Sequence, residues 1–202
     1  KNKEWRELVG VEGQVWKFKK VDNKLLVLHN NGVSEIKEDL SIHKFSSIDI
    51  GVFDLQQFSL QGVEKLLYAS YFRVMISNLD GSNLTILEEL KQPIAKVDVD
   101  HLSNIWMEHP FKGVYRGRLN ARLDKFDTIE YYGGDGSLPY QLKFFKVGGR
   151  VELYGHAKFY LLNEQTNEVY ENKLLNDALG LLHAKKVIEI GQNYFFALSE
   201  KS

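Results

Sequence analysis

Imidazole, amide, guanidinium, ammonium and aromatic side chains recur in four short segments, each of which follows a run of apolar residues. Such side chains bind polar or sugar-like ligands when they converge on one concave surface. The candidate ligand-binding residues are His29, Asn30, Tyr71, Arg73, His109, Phe111, Lys112, His156 and Lys158. A second interpretation stays open, because turns are polar by default and His29 and Asn30 also suit the closing of a hairpin.

The same residue types give little support to catalysis or to metal binding. The sequence has no Cys, no G-x-S-x-G elbow, no phosphate-cradling Gly loop and no H-E-x-x-H pair among its six His. Asp98 and Asp100 suggest the start of a calcium loop, but Leu102 stands at the third ligand position. We therefore expect no catalytic residue, no metal and no cofactor.

The elements that carry these side chains repeat along the chain. Apolar segments of one type begin at Leu25, Leu66, Ile105, Val151 and Tyr194, so their spacing is 39 to 46 residues. Each has a strand-like segment before it, and all but the last have one after it. A period of roughly 40 to 45 residues with four strands is that of a β-propeller blade. The sequence therefore predicts an all-β chain of four-stranded antiparallel blades.

The expected domain is one propeller segment over residues 1–202. Its blades are expected at 14–51, 52–93, 94–139, 140–182 and, incomplete, 183–202, with residues 1–13 as the outer strand of a preceding blade. The third blade should hold strands near Ile94–Val99, Ile105–His109, Val114–Leu119 and Thr128–Tyr132. The segment with Leu175, Ala178, Leu179 and Leu182 has helical spacing and predicts a short helix or a loop packed over the rim.

Blade geometry says which residues share a surface. In a propeller, the turns between second and third strands lie with the interblade connections on the face that usually holds ligands, and all candidate residues fall in these turns. Trp16, Trp106 and Tyr115 lie on predicted strands, where aromatic rings usually pack between blades, so we expect them in the core. Five blades can close if residues 1–13 complete the last one. We favour a piece of a longer propeller of about seven blades.

Composition excludes several classes of protein. Lys and Arg are dispersed and the formal net charge is −1, so no nucleic-acid surface is indicated. No apolar run approaches the roughly 20 residues that span a bilayer. Residues 1–20 show no signal-peptide pattern.

The segments HLSNIWMEHPFKGVYRGRL and IEYYGGDGSLP lie in the third unit. They resemble the two-component-regulator propeller repeat, which reads aspartate, Gly-Asn-hydrophobic-Trp, Gly-hydrophobic-Tyr-Arg, Tyr-Gly and Gly-Leu-Pro. The matching residues are Asp100, Asn104, Ile105, Trp106, Gly113, Val114, Tyr115, Arg116, Tyr132, Gly133, Leu138 and Pro139. Ser103 stands where the family prefers Gly, and Ser137 splits the Gly-Leu-Pro. The segment LLVLHNNGVSEI is similar to the family's earlier blades.

The resemblance implies a periplasmic sensor domain of an inner-membrane regulator. In that family the propeller precedes a transmembrane helix and a histidine kinase or helix-turn-helix region, and many members sense oligosaccharides. The expected partner is an oligosaccharide, with no nucleic acid bound by this segment, membrane contact only through other parts of the protein, and a homodimer left open.

Two alternatives to a sensor remain. One is a propeller that serves only as a protein-interaction scaffold. The other is a polysaccharide lyase, since propeller lyases use His, Tyr and Arg around a pocket, and His109, Tyr71 and Arg73 supply those types.

Overall fold

A computed structural model describes residues 9–11, 13–134, 138–179, 184–190 and 194–199. Four sheets of four strands contain most of the described strands. The first sheet contains β1 (Val15–Val21), β2 (Lys24–His29), β3 (Gly32–Ile36) and β4 (Ile42–Lys44). The second contains β5 (Val52–Leu60), β6 (Val63–Ser70), β7 (Val74–Ser77) and β8 (Thr85–Leu87).

The third and fourth sheets repeat the arrangement. The third contains β9 (Lys96–Val99), β10 (Ile105–Glu108), β11 (Val114–Leu119) and β12 (Phe126–Tyr132). The fourth contains β13 (Lys143–Val147), β14 (Arg150–Gly155), β15 (Lys158–Leu162) and β16 (Val169–Glu171). Helix α1 (Lys173–Leu179) and a pair of strands, β17 (Ala184–Ile190) and β18 (Tyr194–Ser199), follow.

Strands that are consecutive in the chain are neighbours in every sheet, and the pairing is antiparallel. The predicted all-β class and the predicted four-stranded antiparallel sheets are thereby confirmed. Tight turns make this order possible, as at Asn31-Gly32, where Gly32 has φ of 120° and approaches the next connection closely. A Cβ on Gly32 would lie 2.3 Å from the carbonyl oxygen of Ile48, so only glycine is accommodated.

The described chain forms two compact units. One contains the first two sheets together with Leu119–Phe126, and the other contains Asp98–Arg118 and the described residues from Asp127 onward. In the first unit the core is built from buried side chains of β2, β5 and β6, which include Leu26, Leu28, Leu55, Leu66 and Tyr68. Burial raises the pKa of Tyr68 to about 12, and its hydroxyl bonds with Ser77 Oγ at 2.7 Å.

The core of the second unit is more aromatic. Trp106 is 2% exposed and stacks on Tyr132 with ring centroids 5.7 Å apart, which confirms its predicted place in the core. Trp16, in the other unit, is only half-buried. Tyr115, on β11, is likewise half-buried and packs on Tyr131, so the prediction of a core position is wrong for Trp16 and for Tyr115.

Helix α1 shows that the first of the two predicted alternatives, a short helix, is correct, although Leu182 lies outside the described residues. Asn172 precedes the helix, and its Oδ1 accepts the backbone N–H of Leu175 at 3.1 Å, as an N-cap does. The same side chain donates through Nδ2 to Glu152 at 3.1 Å. Burial raises the pKa of Glu152. Leu175 packs into a cluster that includes Phe145.

Several predictions fall on residues that the structure does not describe. These are most of the strand expected within residues 1–13, the departure at Ser137, and the parts of the fifth unit outside β17 and β18. The proposed blade boundaries and the number of blades stay predictions. Among the described residues, no helix has the length and apolar character needed to cross a membrane.

Substitution of two glycines distinguishes the cost of steric crowding from the cost of backbone strain. A Cβ on Gly113 would lie 2.1 Å from the Tyr132 carbonyl oxygen, although Gly113 does not have a positive φ. Gly62 has φ of 77° and nothing within 4 Å of its Cβ position. We expect Gly113→Ala to lower the free energy of unfolding by about 2–3 kcal/mol through overpacking. Gly62→Ala should cost about 1 kcal/mol through strain. Urea denaturation of both variants measures the difference, and equal losses would contradict the steric assignment.

Candidate functional site

The candidate residues lie at the strand ends that carry the turns between second and third strands. In the first unit, His29 ends β2 and is buried. Its Nδ1 accepts the backbone N–H of Asn31 at 3.3 Å, and its Nε2 lies 3.0 Å from Ser34 Oγ. An acceptor at Nδ1 requires the proton at Nε2, so the neutral ring donates to Ser34. This is the hairpin-closing role that the second interpretation gave to His29.

The next residue belongs to an aromatic cluster. Asn30 Oδ1 accepts the indole N–H of Trp16 at 3.0 Å. The Trp16 ring lies 4.8 Å from Phe53, which in turn lies 4.4 Å from Tyr71. Phe72, beside Tyr71, is 64% exposed. The structure therefore brings Asn30 and Tyr71 together through Trp16 and Phe53, neither of which the sequence placed at the site.

Arg73 is the cation of this end of the first unit. Its backbone N–H donates to Ser70 Oγ at 3.2 Å. Ser70 is therefore the acceptor in the turn between β6 and β7, as His29 is in the turn between β2 and β3. The Arg73 side chain is half-buried and has no hydrogen bond or ion pair within the described part of the chain. Its guanidinium is therefore available to a ligand.

The buried carboxylate of Asp54, in the same unit, already has hydrogen-bond and ion-pair partners. Asp54 is 1% exposed, and its oxygens accept the backbone N–H groups of Leu55 at 2.9 Å and Val97 at 3.3 Å. Lys17 and Lys19 place their Nζ atoms 2.8 and 3.3 Å from Asp54 Oδ1. Because these partners satisfy the charge, Asp54 is a structural residue.

In the second unit, His109 repeats the arrangement of His29. It is buried, and its Nδ1 accepts the backbone N–H of Phe111 at 3.1 Å. Burial lowers the pKa of His109, and the nearby charge of Lys112 lowers it further. Phe111 is 71% exposed. The Lys112 carbonyl accepts the N–H of Leu142 at 3.0 Å, and its ammonium has no partner within the described residues.

Beside this turn lies a group of tyrosines that the sequence did not identify, which we call the tyrosine platform: Tyr115, Tyr131 and Tyr140. Tyr115 and Tyr131 have ring centroids 4.9 Å apart. The Tyr131 hydroxyl lies 3.0 Å from the position of a Cβ on Gly113, and the Tyr140 ring lies 2.9 Å from that of Gly134. The missing Cβ atoms let these rings approach the backbone, and Tyr131 and Tyr140 are 42% and 60% exposed. The run YYGG was the available signal.

The last two candidates form a turn of the fourth sheet. His156 and Ala157 have positive φ values of 50° and 61°, and the His156 side chain is exposed. Lys158 Nζ bonds with the Glu171 carboxylate of the adjacent strand. That hydrogen bond raises the pKa of Lys158. The ammonium of Lys158 is therefore engaged within its own sheet, whereas His156 faces solvent.

The residues that carry the family resemblance have a structural role. Asp100 Oδ1 accepts the N–H groups of Leu102 and Asn104, both at 2.9 Å. Its Oδ2 accepts Asn104 Nδ2 at 2.9 Å and the Trp106 indole N–H at 2.8 Å. Four donors satisfy this carboxylate, so it orders the turn before β10. Ser103, where the family prefers Gly, has φ of 65°.

A second polar group, which we call the clasp, joins the third and fourth sheets and consists of Arg116, Glu130, Tyr132 and Asn167. Arg116 Nη1 donates to Asn167 Oδ1 at 2.8 Å, and Asn167 Nδ2 donates to Glu130 Oε1 at 2.7 Å. The Tyr132 hydroxyl donates to Glu130 Oε2 at 2.9 Å. Burial and this bond raise the pKa of Tyr132. In the described ranges no group of three or more His, Asp or Glu lies at metal-binding distances.

Comparison with known proteins gives similarity in fold alone. No protein-family model and no curated protein sequence matches the chain. Among solved structures, the extracellular domain of a one-component system from B. thetaiotaomicron superposes with a TM-score of 0.55 over 78% of this chain, at 8% identity. PorZ, a surface component of the type-IX secretion system of Porphyromonas gingivalis, gives 0.48 over 78%, at 12% identity. An exported protein of Bacteroides fragilis gives 0.46 over 83%, at 14% identity. The chain covers 21%, 20% and 52% of these three structures.

The left-handed backbone at Ser103 generates a stability prediction. We expect Ser103→Gly to raise the free energy of unfolding by roughly 0.5–1 kcal/mol, because relief of the left-handed conformation exceeds the entropy that glycine adds to the unfolded chain. Ser47 is exposed and does not have a positive φ, so Ser47→Gly should destabilise by a similar amount. Chemical denaturation should give opposite signs for the two variants. A loss in Ser103→Gly would contradict the argument.

The buried imidazole of His109 predicts a dependence on pH. Its folded-state pKa lies below the ordinary value of about 6.5, so the unfolded chain takes up the proton first and stability falls as pH drops below that value. His109→Asn keeps an acceptor for the Phe111 N–H but cannot titrate. Thermal melts between pH 7 and 5 should show a smaller loss for His109→Asn than for the native chain. Identical pH profiles would contradict the assignment.

Proposed function

We propose that this chain is part of an extracytoplasmic ligand-sensing propeller of a two-component-type signalling or transcriptional regulator, and that its ligand is an oligosaccharide. The fold similarity to the extracellular domain of a one-component system supports the sensing role and a location outside the cytoplasm. The proposed location is the periplasm, and the proposed output module, a histidine kinase or a helix-turn-helix domain, belongs to another part of the protein.

The tyrosine platform is the observation that carries the oligosaccharide proposal. Exposed, flat aromatic rings offer apolar area while their hydroxyls stay hydrated, which matches the mixed character of a sugar ring. Phe111 adds an exposed ring to the same end of the second unit, and Lys112 adds a cation with no partner among the described residues. In the first unit, Phe72 and Arg73 present the same combination of an exposed ring and an available cation.

His29 and His109 act indirectly in this proposal. Both rings are buried and bonded to turn backbones, so they fix the turns that present Asn30, Phe111 and Lys112. Both ring nitrogens of His29 are engaged, and His109 is buried with its Nδ1 engaged, which favours binding over catalysis because a catalytic base needs a nitrogen within reach of its substrate. We propose that this part of the protein is not an enzyme. Signalling then requires that the ligand bind two conformational states with different affinity.

Binding measurements test the proposal on the full chain. A panel of neutral and uronate-containing oligosaccharides is screened by thermal shift, since a ligand of the folded state raises apparent stability by about 2.7 kcal/mol at 100 times its Kd. We expect Tyr140→Ala and Phe111→Ala each to weaken the binding of a hit about tenfold, through the loss of a stacking ring. Phe18→Ala, which removes a ring 55% exposed on β1, is the matched control and should bind as the native chain does.

Three results would overturn the proposal or change its class. Absence of any saturable thermal shift would contradict the proposal that the ligand is an oligosaccharide. Unchanged binding in both ring variants would contradict the proposed position of the site. If incubation with a uronate polymer produced the ultraviolet absorbance of an unsaturated sugar, the protein would be a lyase and not a sensor. A full-length protein that has neither a transmembrane span nor an output module would favour the interaction scaffold over the sensor.

A further inference from the structure

The second unit has a cavity at the strand ends opposite the tyrosine platform. The connection before β10, the start of β14 and the connection after β15 surround it, and its volume is about 270 Å³. Three of the lining residues, Trp106, Val151 and Leu162, are apolar side chains of one core cluster, whereas the side chain of Leu161 points to the opposite face of its strand. Arg150, Glu164 and Tyr170 form the rim, and Tyr170 is 52% exposed.

Most polar groups of the cavity are already satisfied. Asp100 accepts four hydrogen bonds, and Asn104 Oδ1 accepts from Arg118 at 3.3 Å. Asn163 Oδ1 accepts two backbone N–H groups of its own turn. These groups therefore shape the cavity and leave recognition to the two charges on its rim.

The two rim charges have opposite sign and are largely available. Arg150 is exposed and has no hydrogen bond or ion pair within the described part of the chain. Glu164 has one charged neighbour there, the Nε2 atom of His101 at 3.5 Å, and this pair is ionic only when the imidazole is protonated. A guanidinium binds a carboxylate through two parallel hydrogen bonds, and a carboxylate binds an ammonium group.

We propose that this cavity binds a free α-amino acid with an apolar side chain. The carboxylate of the ligand pairs with Arg150, its ammonium pairs with Glu164, and its side chain lies against Val151 and Leu162. A volume of about 270 Å³ is just below the roughly 300–1,000 Å³ of pockets for drug-sized ligands, which favours a ligand of this small size. A neutral sugar would offer hydroxyl groups but no counter-ion to either rim charge. This proposal is independent of the oligosaccharide site.

Calorimetry and thermal shift with L-leucine and L-phenylalanine test the site on the full chain. N-acetyl-L-leucine lacks the ammonium group and L-leucinamide lacks the carboxylate, so both should bind at least about tenfold more weakly than L-leucine. Arg150→Gln and Glu164→Gln should each weaken L-leucine binding by a similar factor. Arg122→Gln, at an exposed arginine of the other unit, should leave it unchanged.

The variants also assign a group of the ligand to each residue. Arg150→Gln should remove the preference for L-leucine over L-leucinamide, and Glu164→Gln should remove the preference over N-acetyl-L-leucine. Both residues are exposed, and circular dichroism should confirm a native fold. Lack of saturable binding of either amino acid at millimolar concentration, equal binding of the blocked compounds, or native affinity in both variants would overturn the proposal. None of these outcomes bears on the oligosaccharide screen.

Discussion

Burial of the second strand of each sheet on both faces is the constraint on which the rest of the structure depends. The last four residues of β2, the last five of β6 and of β14, and the first three of β10 are buried without interruption. An unbroken buried run cannot have one face in water, so each of these strands needs apolar cover on both sides. Repetition of the sheet supplies such cover, which is why like-built sheets follow one another.

That constraint also decides where binding groups can lie. A strand buried on both faces cannot carry an unpartnered polar group at low cost, so polar chemistry is confined to the strand ends. His29 and His109 stand at this boundary, where the buried strand gives way to the turn, and their ring nitrogens satisfy turn N–H groups. Ser70 performs the same task with a hydroxyl. The exposed rings and available cations come immediately after these residues.

The sequence predicted the sheets well because their signal is local. The apolar segments at Leu25, Leu66, Ile105 and Val151 lie in β2, β6, β10 and β14, and the turns between them have residues that tolerate positive φ. The candidate site was predicted only in part. The bond from Trp16 to Asn30 and the contact of the Trp16 ring with Phe53 join residues that are far apart in sequence, and a periodic pattern does not encode such contacts.

The family motif is informative about architecture and silent about ligands, and the hydrogen bonds of Asp100 explain why. Asp100, Asn104 and Trp106 use their polar atoms on one another, so this spacing records how a turn is held before a buried strand. Phe111 and Lys112 lie outside that turn, so the motif carries no information about the ligand proposed for them.

The contacts between the third and fourth sheets differ in how easily a ligand can disturb them. The buried aromatic contacts, such as Trp106 with Phe144 at 6.5 Å, are costly to break, since large core side chains contribute several kcal/mol each. The outer part of the clasp is different, because Asn167 is exposed and the Glu130 side chain is 38% exposed, although the Arg116 side chain is only 14% exposed; exposed polar pairs contribute roughly 0–1 kcal/mol. A coupling free energy between sites is typically about 1–3 kcal/mol. Within this unit, binding energy of that size is enough to rearrange the clasp and too small to rearrange the core, so any response to a ligand in the adjoining cavity begins at the clasp.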